Sequence, residues 1–344
     1  MLLPSTMNDP LAKLKSLFQG GSLLWPVVGL TLLFGFNAVF SPSFFHLEVR
    51  DGHLYGTLVD ILNQGSKVML LAIGMTLIIA TGGVDLSVGS LMAIAGAVAA
   101  LMVTKISFAA AVALSLGLAT VAGVCNGILI GYGGIQPIIA TLILMVAGRG
   151  LAMLLTGGQI ITFEHPAFVF IGNGHFLGLP FTVTIVLFVL CFTLLATRKT
   201  AIGLFLESVG DNEKAARFCG INASLVKVMV YAYSGLCAGV AGLIATSNIK
   251  AADSSRVGEF MELDAIFAVV VGGTPLTGGR FSLVGSVIGA LLIQTLTVTM
   301  YNLGVEPSVA PVPKAIVIVA VCLMQSGRFR THMLSFFGKR RVAT

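Results

Sequence analysis

An all-α, polytopic membrane fold is what this sequence predicts, on three observations. The chain is 56% hydrophobic and 10% charged, with a mean hydropathy of +1.00. A soluble domain of this length carries far more charge. The apolar residues fall in runs near the roughly 20 residues that a helix needs to cross the hydrocarbon. Finally, the basic residues behind the net charge of +6 sit at run ends and in the tail, not in one patch with interleaved aromatics, so they point to membrane orientation and not to nucleic acid.

Taken in order, ten spans are expected, at about 22–40, 65–81, 85–104, 107–130, 137–156, 180–197, 225–247, 262–274, 281–302 and 313–326. They form a single transmembrane domain over 1–344. The first run follows Lys13 and Lys15 and lacks a small-x-small cleavage site near its end, so it reads as a membrane helix and not a removed signal. The eighth and tenth are short and the second to fourth barely separated, which suggests broken or re-entrant helices. Cys125, Cys191, Cys219, Cys237 and Cys322 are odd in number, widely spaced and mostly in apolar runs, so they read as buried small side chains and not as a disulfide or metal framework.

Orientation follows from Lys and Arg. With both termini cytoplasmic, the inner side holds Lys13, Lys15, Arg198, Lys199, Lys214, Arg217, Lys227, Arg280, Arg328, Arg330, Lys339, Arg340 and Arg341. The outer side holds only Arg50, Lys105, Lys250 and Arg256. This places 1–21, the central loop 198–224 and the tail 327–344 in the cytoplasm. The outer loops are then 41–64, 157–179, 248–261 and 303–312, a mixed polar surface on which a soluble partner could dock.

The central stretch RKTAIGLFLESVGDNEKAARFCGINASLVK, 198–227, is charge-dense between apolar runs. Asp211 and Asn212 are N-cap types, Glu213 suits a first turn, Arg217 a last turn and Gly220 a stop, so a helix of about two turns is expected there. A preceding turn, Thr200 to Val209, is expected to end at a glycine hinge, Gly210. The product is a bent helical knob for a groove on another protein, or a solvated loop.

An internal repeat is visible. Thr81-Gly82-Gly83 with Val88-Gly89-Ser90 recurs 196 residues later as Thr277-Gly278-Gly279 with Val284-Gly285-Ser286. Six identities at one offset suggest duplicated halves flanking the central loop, of undetermined hand.

An ionisable group at membrane depth is costly, so each one there is a candidate. Asp85 follows Gly82 and Gly83, where a helix can break; it lines a pathway, latches two half-helices or caps a helix beginning at Leu86. Arg149, between Gly148 and Gly150, needs a carboxylate, carbonyls or water, or snorkels to the nearby outer face. Asn126, Gln136, Gln294 and Asn302 suit hydroxylated ligands or serve as interhelical glue. No GxxxxGK[ST], HExxH, GxSxG or CxxC is present, so uphill movement would draw on a partner or an ion gradient and the chain is read as no enzyme.

Four stretches, LLAIGMTLIIATGGVDLSVGSLMAIAGA (70–97), GIQPIIATLILMVAGRG (134–150), ESVGDNEKAARFCGI (207–221) and LDAIFAVVVGGTPLTGGR (263–280), resemble the permease subunits of bacterial sugar ABC importers of the ribose, arabinose and xylose type. Within that family, IQPIIATLILMVAGRG, TGGQIITF (156–163) and RKTAIGLFLESVG are most similar to galactofuranose transporter permeases. Two departures stand out: Leu204-Phe205-Leu206 follows Gly203 where the wider family often has an arginine, and Ser208 replaces the usual alanine. The resemblance implies a bacterial inner-membrane location and a coupling loop seated in a sugar-type ABC ATPase, with Glu207, Gly210, Asn212, Ala215, Ala216 and Gly220 at the matching positions. It also implies ATP and Mg held by that ATPase and none in this chain, a periplasmic sugar-binding protein on the outer loops, and a second permease subunit, a different chain in the galactofuranose case. An ion-coupled secondary transporter, supported by the repeat, Asp85 and Arg149, and a membrane-embedded enzyme on lipid substrates are the competing classes.

Overall fold

The computed structural model describes residues 24–50, 52–306 and 308–325. The basic segments 1–21 and 327–344 therefore lie outside the described residues.

Helices α1 (Leu24–Phe40), α2 (Thr57–Ala80), α3 (Val88–Met102), α4 (Phe108–Gly131), α5 (Pro137–Thr156), α6 (Pro166–Asn173) and α7 (Phe181–Lys199) make up the first part of the chain. Two short helices, α8 (Ile202–Asp211) and α9 (Glu213–Phe218), form the central loop. Then follow α10 (Ala223–Ile249), α11 (Met261–Val271), α12 (Leu283–Asn302) and α13 (Pro311–Gln325). Among the described residues, six helices are long and apolar enough to cross a membrane: α2, α4, α5, α7, α10 and α12. Helices α2, α10 and α12 are mostly buried and form the centre, whereas α4, α5 and α7 turn most of their surface outward.

Small residues set the packing. Gly123, Gly127 and Gly131 of α4 lie so close to α10 that a Cβ would stand 2.3 Å from the Tyr231 carbonyl oxygen, 2.6 Å from Val228 Cα and 2.7 Å from the Ser224 carbonyl oxygen. This four-residue spacing puts all three on one helix face and lets two backbones meet. The pairings run in opposite senses, so α4 and α10 are antiparallel. Gly242 meets Met92 and Gly96 meets Thr246, so α3 runs parallel to α10.

Helix limits differ from the expected spans where hydropathy misleads. The second helix starts at Thr57 and not near 65, because Asp60, Asn63 and Gln64 dilute the apolar signal while Val59 and Ile61 are buried. Helix α3 starts at Val88 and not at 85. Its 15 residues and the 11 of α11 fall short of the roughly 20 needed for a full crossing. Each short helix adjoins one glycine turn of the repeat. The two turns meet: the Gly279 N–H donates to the Ala80 carbonyl oxygen at 3.0 Å, and a Cβ on Gly278 would stand 2.9 Å from the Gly82 nitrogen. The repeat copies therefore present their turns on the same side.

The segments between helices at the opposite end carry little regular structure. Hairpin β1 (Glu48–Arg50) with β2 (His53–Tyr55) and hairpin β4 (His175–Phe176) with β5 (Leu179–Pro180) are antiparallel, as is the pair β3 (Ile161–Thr162) with β6 (Ala251–Ala252). Among the described cysteine side chains only Cys237 is buried; Cys125, Cys191 and Cys219 are exposed, because the apolar runs around the first two face outward and not into the core.

Candidate functional site

The central loop is a bent pair of helices, but its hinge is not Gly210. Helix α8 continues through Gly210 to Asp211, and the chain bends at Asn212 (φ −154°, ψ 99°). Asn212, not Asp211, caps α9: its Oδ1 accepts from the Ala215 N–H at 3.0 Å. Beyond α9, Gly220 takes the left-handed conformation (φ +83°) that a helix stop favours, and Asn222 caps α10 through the Leu225 N–H at 3.0 Å.

Gly210 is required instead for close approach. A Cβ there would lie 1.8 Å from the Ala80 carbonyl oxygen and 2.6 Å from the Gly279 nitrogen, the two atoms of the bond that joins the repeat turns. Helix α8 thus rests on both copies at once. Leu206, Val209 and Ala216 anchor the pair in a buried cluster with Ile73, Leu77, Ile78, Ala80, Tyr231, Phe281 and Leu283. Glu213 fastens the other flank, accepting from Arg217 at 2.8 Å and from Lys227 of α10 at 2.7 Å. Partial burial opposes ionisation of Glu213, but the bonds and charges of Lys227 and Arg217 outweigh it and hold the carboxyl below its ordinary value.

What faces outward is a second set. Asp211, Asn212, Lys214 and Ala215 are exposed and Glu207 half-buried, while Phe218 is 93% exposed. A bare phenyl ring between charged side chains makes Phe218 a candidate anchor for a partner protein. The sequence reading passed over it, although an aromatic three residues after Ala215 on so short a helix was signal enough. It also missed the Glu213–Lys227 pair, whose partners lie 14 residues apart.

Asp85 is fully buried and is not a helix cap. Its Oδ1 accepts from the Ser87 N–H at 2.9 Å and hydroxyl at 2.5 Å, and its Oδ2 from the Ser234 hydroxyl at 3.1 Å. Asn126 donates to the Ser87 hydroxyl at 3.1 Å, and Tyr231 to the Val84 carbonyl at 3.1 Å. A buried carboxylate needs such donors, and together they latch the break between α2 and α3 to α4 and α10. Arg149 donates to the carbonyls of Ser254 at 3.1 Å and Val257 at 2.5 Å, tying α5 to the segment before α11. Gly148 approaches Ser90 closely, as a Cβ would lie 2.8 Å from its hydroxyl oxygen, whereas Gly150 faces open space. Gln136 is exposed at the start of α5, apart from this cluster.

At the end away from the loop, a cavity of about 630 Å³ is lined by Gln64, Lys67, Asp253, Asp264, Gln294 and Tyr301, among others. Lys314 pairs with Asp264 at 2.8 Å beside it. On the same side His53 and His175 stack with centroids 4.4 Å apart, joining the two hairpins. Burial, then the proximity of His53, pushes the His175 imidazole down. Among the described residues no three His, Cys, Asp or Glu side chains converge as a metal site would require. The described residues thus place a cavity with polar and charged walls at one end and an exposed, charge-dense loop at the other.

The profile of the family described as "Branched-chain amino acid transport system / permease component" matches residues 57–324. The chain is 47% identical over 329 residues to the galactofuranose transporter permease protein YtfT of Escherichia coli (strain K12), covering 95% of this chain and 96% of that one. It is 39% identical over 332 residues to the fructose import permease protein FruF of Bifidobacterium longum (94% and 92% covered). It is 41% identical over 306 residues to the ribose import permease protein RbsC of Bacillus subtilis (88% and 92% covered). No solved structure matches the chain.

Proposed function

Since this chain belongs to the branched-chain amino acid transport system / permease component family, we propose that it is the membrane permease subunit of a bacterial ABC importer. Its cargo is a monosaccharide, galactofuranose first among the sugars named for its relatives. The whole chain forms one transmembrane domain of ten membrane segments in the inner membrane, with α3 and α11 completing their crossings through the adjoining glycine turns and both termini in the cytoplasm.

One observation carries the mechanism: Gly210 of α8 is seated on the Ala80–Gly279 bond that joins the repeat turns. In this reading α8 and α9 dock on a cytoplasmic sugar-type ATPase, which holds the ATP and Mg while this chain holds neither. Movement of the ATPase on binding ATP pushes α8, and α8 displaces the ends of α2 and α12 together. Both helices line the polar cavity at the far end, so the push at one face opens the other. A periplasmic binding protein delivers sugar to the outer segments there, and a second permease, the same or a homologous chain, completes the path. Amides such as Gln64 and Gln294 suit a neutral sugar, which needs no counter-charge.

Uptake tests the cargo. Cells lacking their own galactofuranose permease, supplied with this chain and its partner subunits, are expected to accumulate labelled galactofuranose in preference to ribose or fructose. Uptake that an ionophore abolishes at constant ATP would overturn the reading in favour of ion coupling.

A further inference from the structure

A second cavity, of about 210 Å³, opens between α7, α8 and α10, lined by Phe192, Ala196, Phe205, Leu206, Met229 and Tyr233 with their neighbours. Its chemistry excludes a sugar. The walls are almost wholly apolar, and the hydroxyls in reach are already engaged: Thr193 and Tyr233 bond to one another, and Thr197 donates to the Thr193 carbonyl at 2.8 Å. Phe192, one of the cavity's walls, is exposed together with Phe188 and Leu195 on the outward side of α7, where in a membrane they meet acyl chains. Helix α7 ends immediately beyond the cavity with Arg198 and Lys199, both exposed. Lys199 lies three residues after Ala196 and so on the same helix face, one turn toward the loop.

We propose that this cavity holds one acyl chain of an anionic phospholipid, with the headgroup phosphate on Lys199 and Arg198. An apolar slot below a basic rim at the membrane surface matches both ends of such a molecule, and a lipid of net negative charge gains more from the rim than a zwitterionic one. The occupant touches Phe205 and Leu206 of α8, and Leu206 belongs to the cluster that seats α8 on α2. Bound lipid therefore stiffens the loop from its membrane side. The proposal rests on the membrane placement given above; ATPase association and sugar uptake are read separately, so its failure and theirs are distinguishable.

The test titrates delipidated full chain in detergent with palmitoyl-oleoyl phosphatidylglycerol or phosphatidylcholine and counts bound lipid by native mass spectrometry. One phosphatidylglycerol per chain is expected, held at least about tenfold more tightly than phosphatidylcholine. Ala196→Phe fills the slot and removes that binding. Independently of any effect on α7 packing, the paired exposed changes Arg198→Gln and Lys199→Gln remove the preference and leave the phosphatidylcholine affinity. Equal affinity for the two lipids, undiminished phosphatidylglycerol binding by Ala196→Phe, or a preference that survives in the paired variant would overturn the proposal. So would dimers of the full chain that Ala196→Phe alone dissociates, which would give the cavity to a second copy.

Discussion

The N–H of Gly279 donates to the carbonyl oxygen of Ala80 at 3.0 Å, across nearly 200 residues of sequence, and joins the two repeated glycine turns. Gly210 lies directly on that bond, leaving no room for a Cβ. The loop is consequently part of the packed interior on one face and free on the other, and substitutions on the two faces should behave differently.

On the packed face, Gly210→Ala must push α8 off the Ala80 carbonyl. Overpacking of this kind costs about 1–3 kcal/mol, so the variant should unfold at lower temperature than wild type in detergent, with or without partners. A stability equal to wild type would show that α8 does not sit on the turns.

The Asp85 latch gives a second expectation. In Asp85→Ala the hydroxyls of Ser87 and Ser234 lose their buried acceptor, at about 1–3 kcal/mol for each group left unpaired. Thermal unfolding should report the loss, and Ser234→Ala in the same background should add little, since the two changes remove one shared contact. Full additivity would contradict a shared latch.

The Glu213 pair predicts a dependence on pH. Its carboxyl titrates below the ordinary 4.5 in the folded chain, so its contribution is present above that value and fades as pH falls through the lowered one. Wild type and Glu213→Gln should differ in thermal stability at neutral pH and converge in acid. The gap should be small, because the Glu213 side chain is 34% exposed and solvent screens the pair.

Much of this was legible in the sequence, and the remainder failed for physical reasons. The apolar runs marked the long helices, and residues of the right type at 211–220 marked the two-helix loop. The repeat at Gly82 and Gly278 was visible as identities. Sequence could not say that the turns touch, because that contact depends on how α2 and α12 pack. For the same reason Gly210 read as a hinge: a glycine needed for close approach and one needed for its backbone freedom look alike until the neighbour is known. Asp85 read as a possible cap because its true partners, Ser234 and, through Ser87, Asn126, are distant in the chain. Phe218 was passed over because an aromatic residue is ordinarily assigned to a core.

The outward face carries the central claim, that the loop is the contact for a cytoplasmic ATPase. The most direct measurement is co-purification of the full chain with the sugar-type ABC ATPase of its own organism, beside Phe218→Asp. Phe218 touches no packed interior, so the variant should keep wild-type thermal stability yet lose association by roughly 30-fold or more, as expected of a buried aromatic anchor. A variant that retains the ATPase in full, or a wild-type chain that purifies alone where related importers stay assembled, would contradict the account.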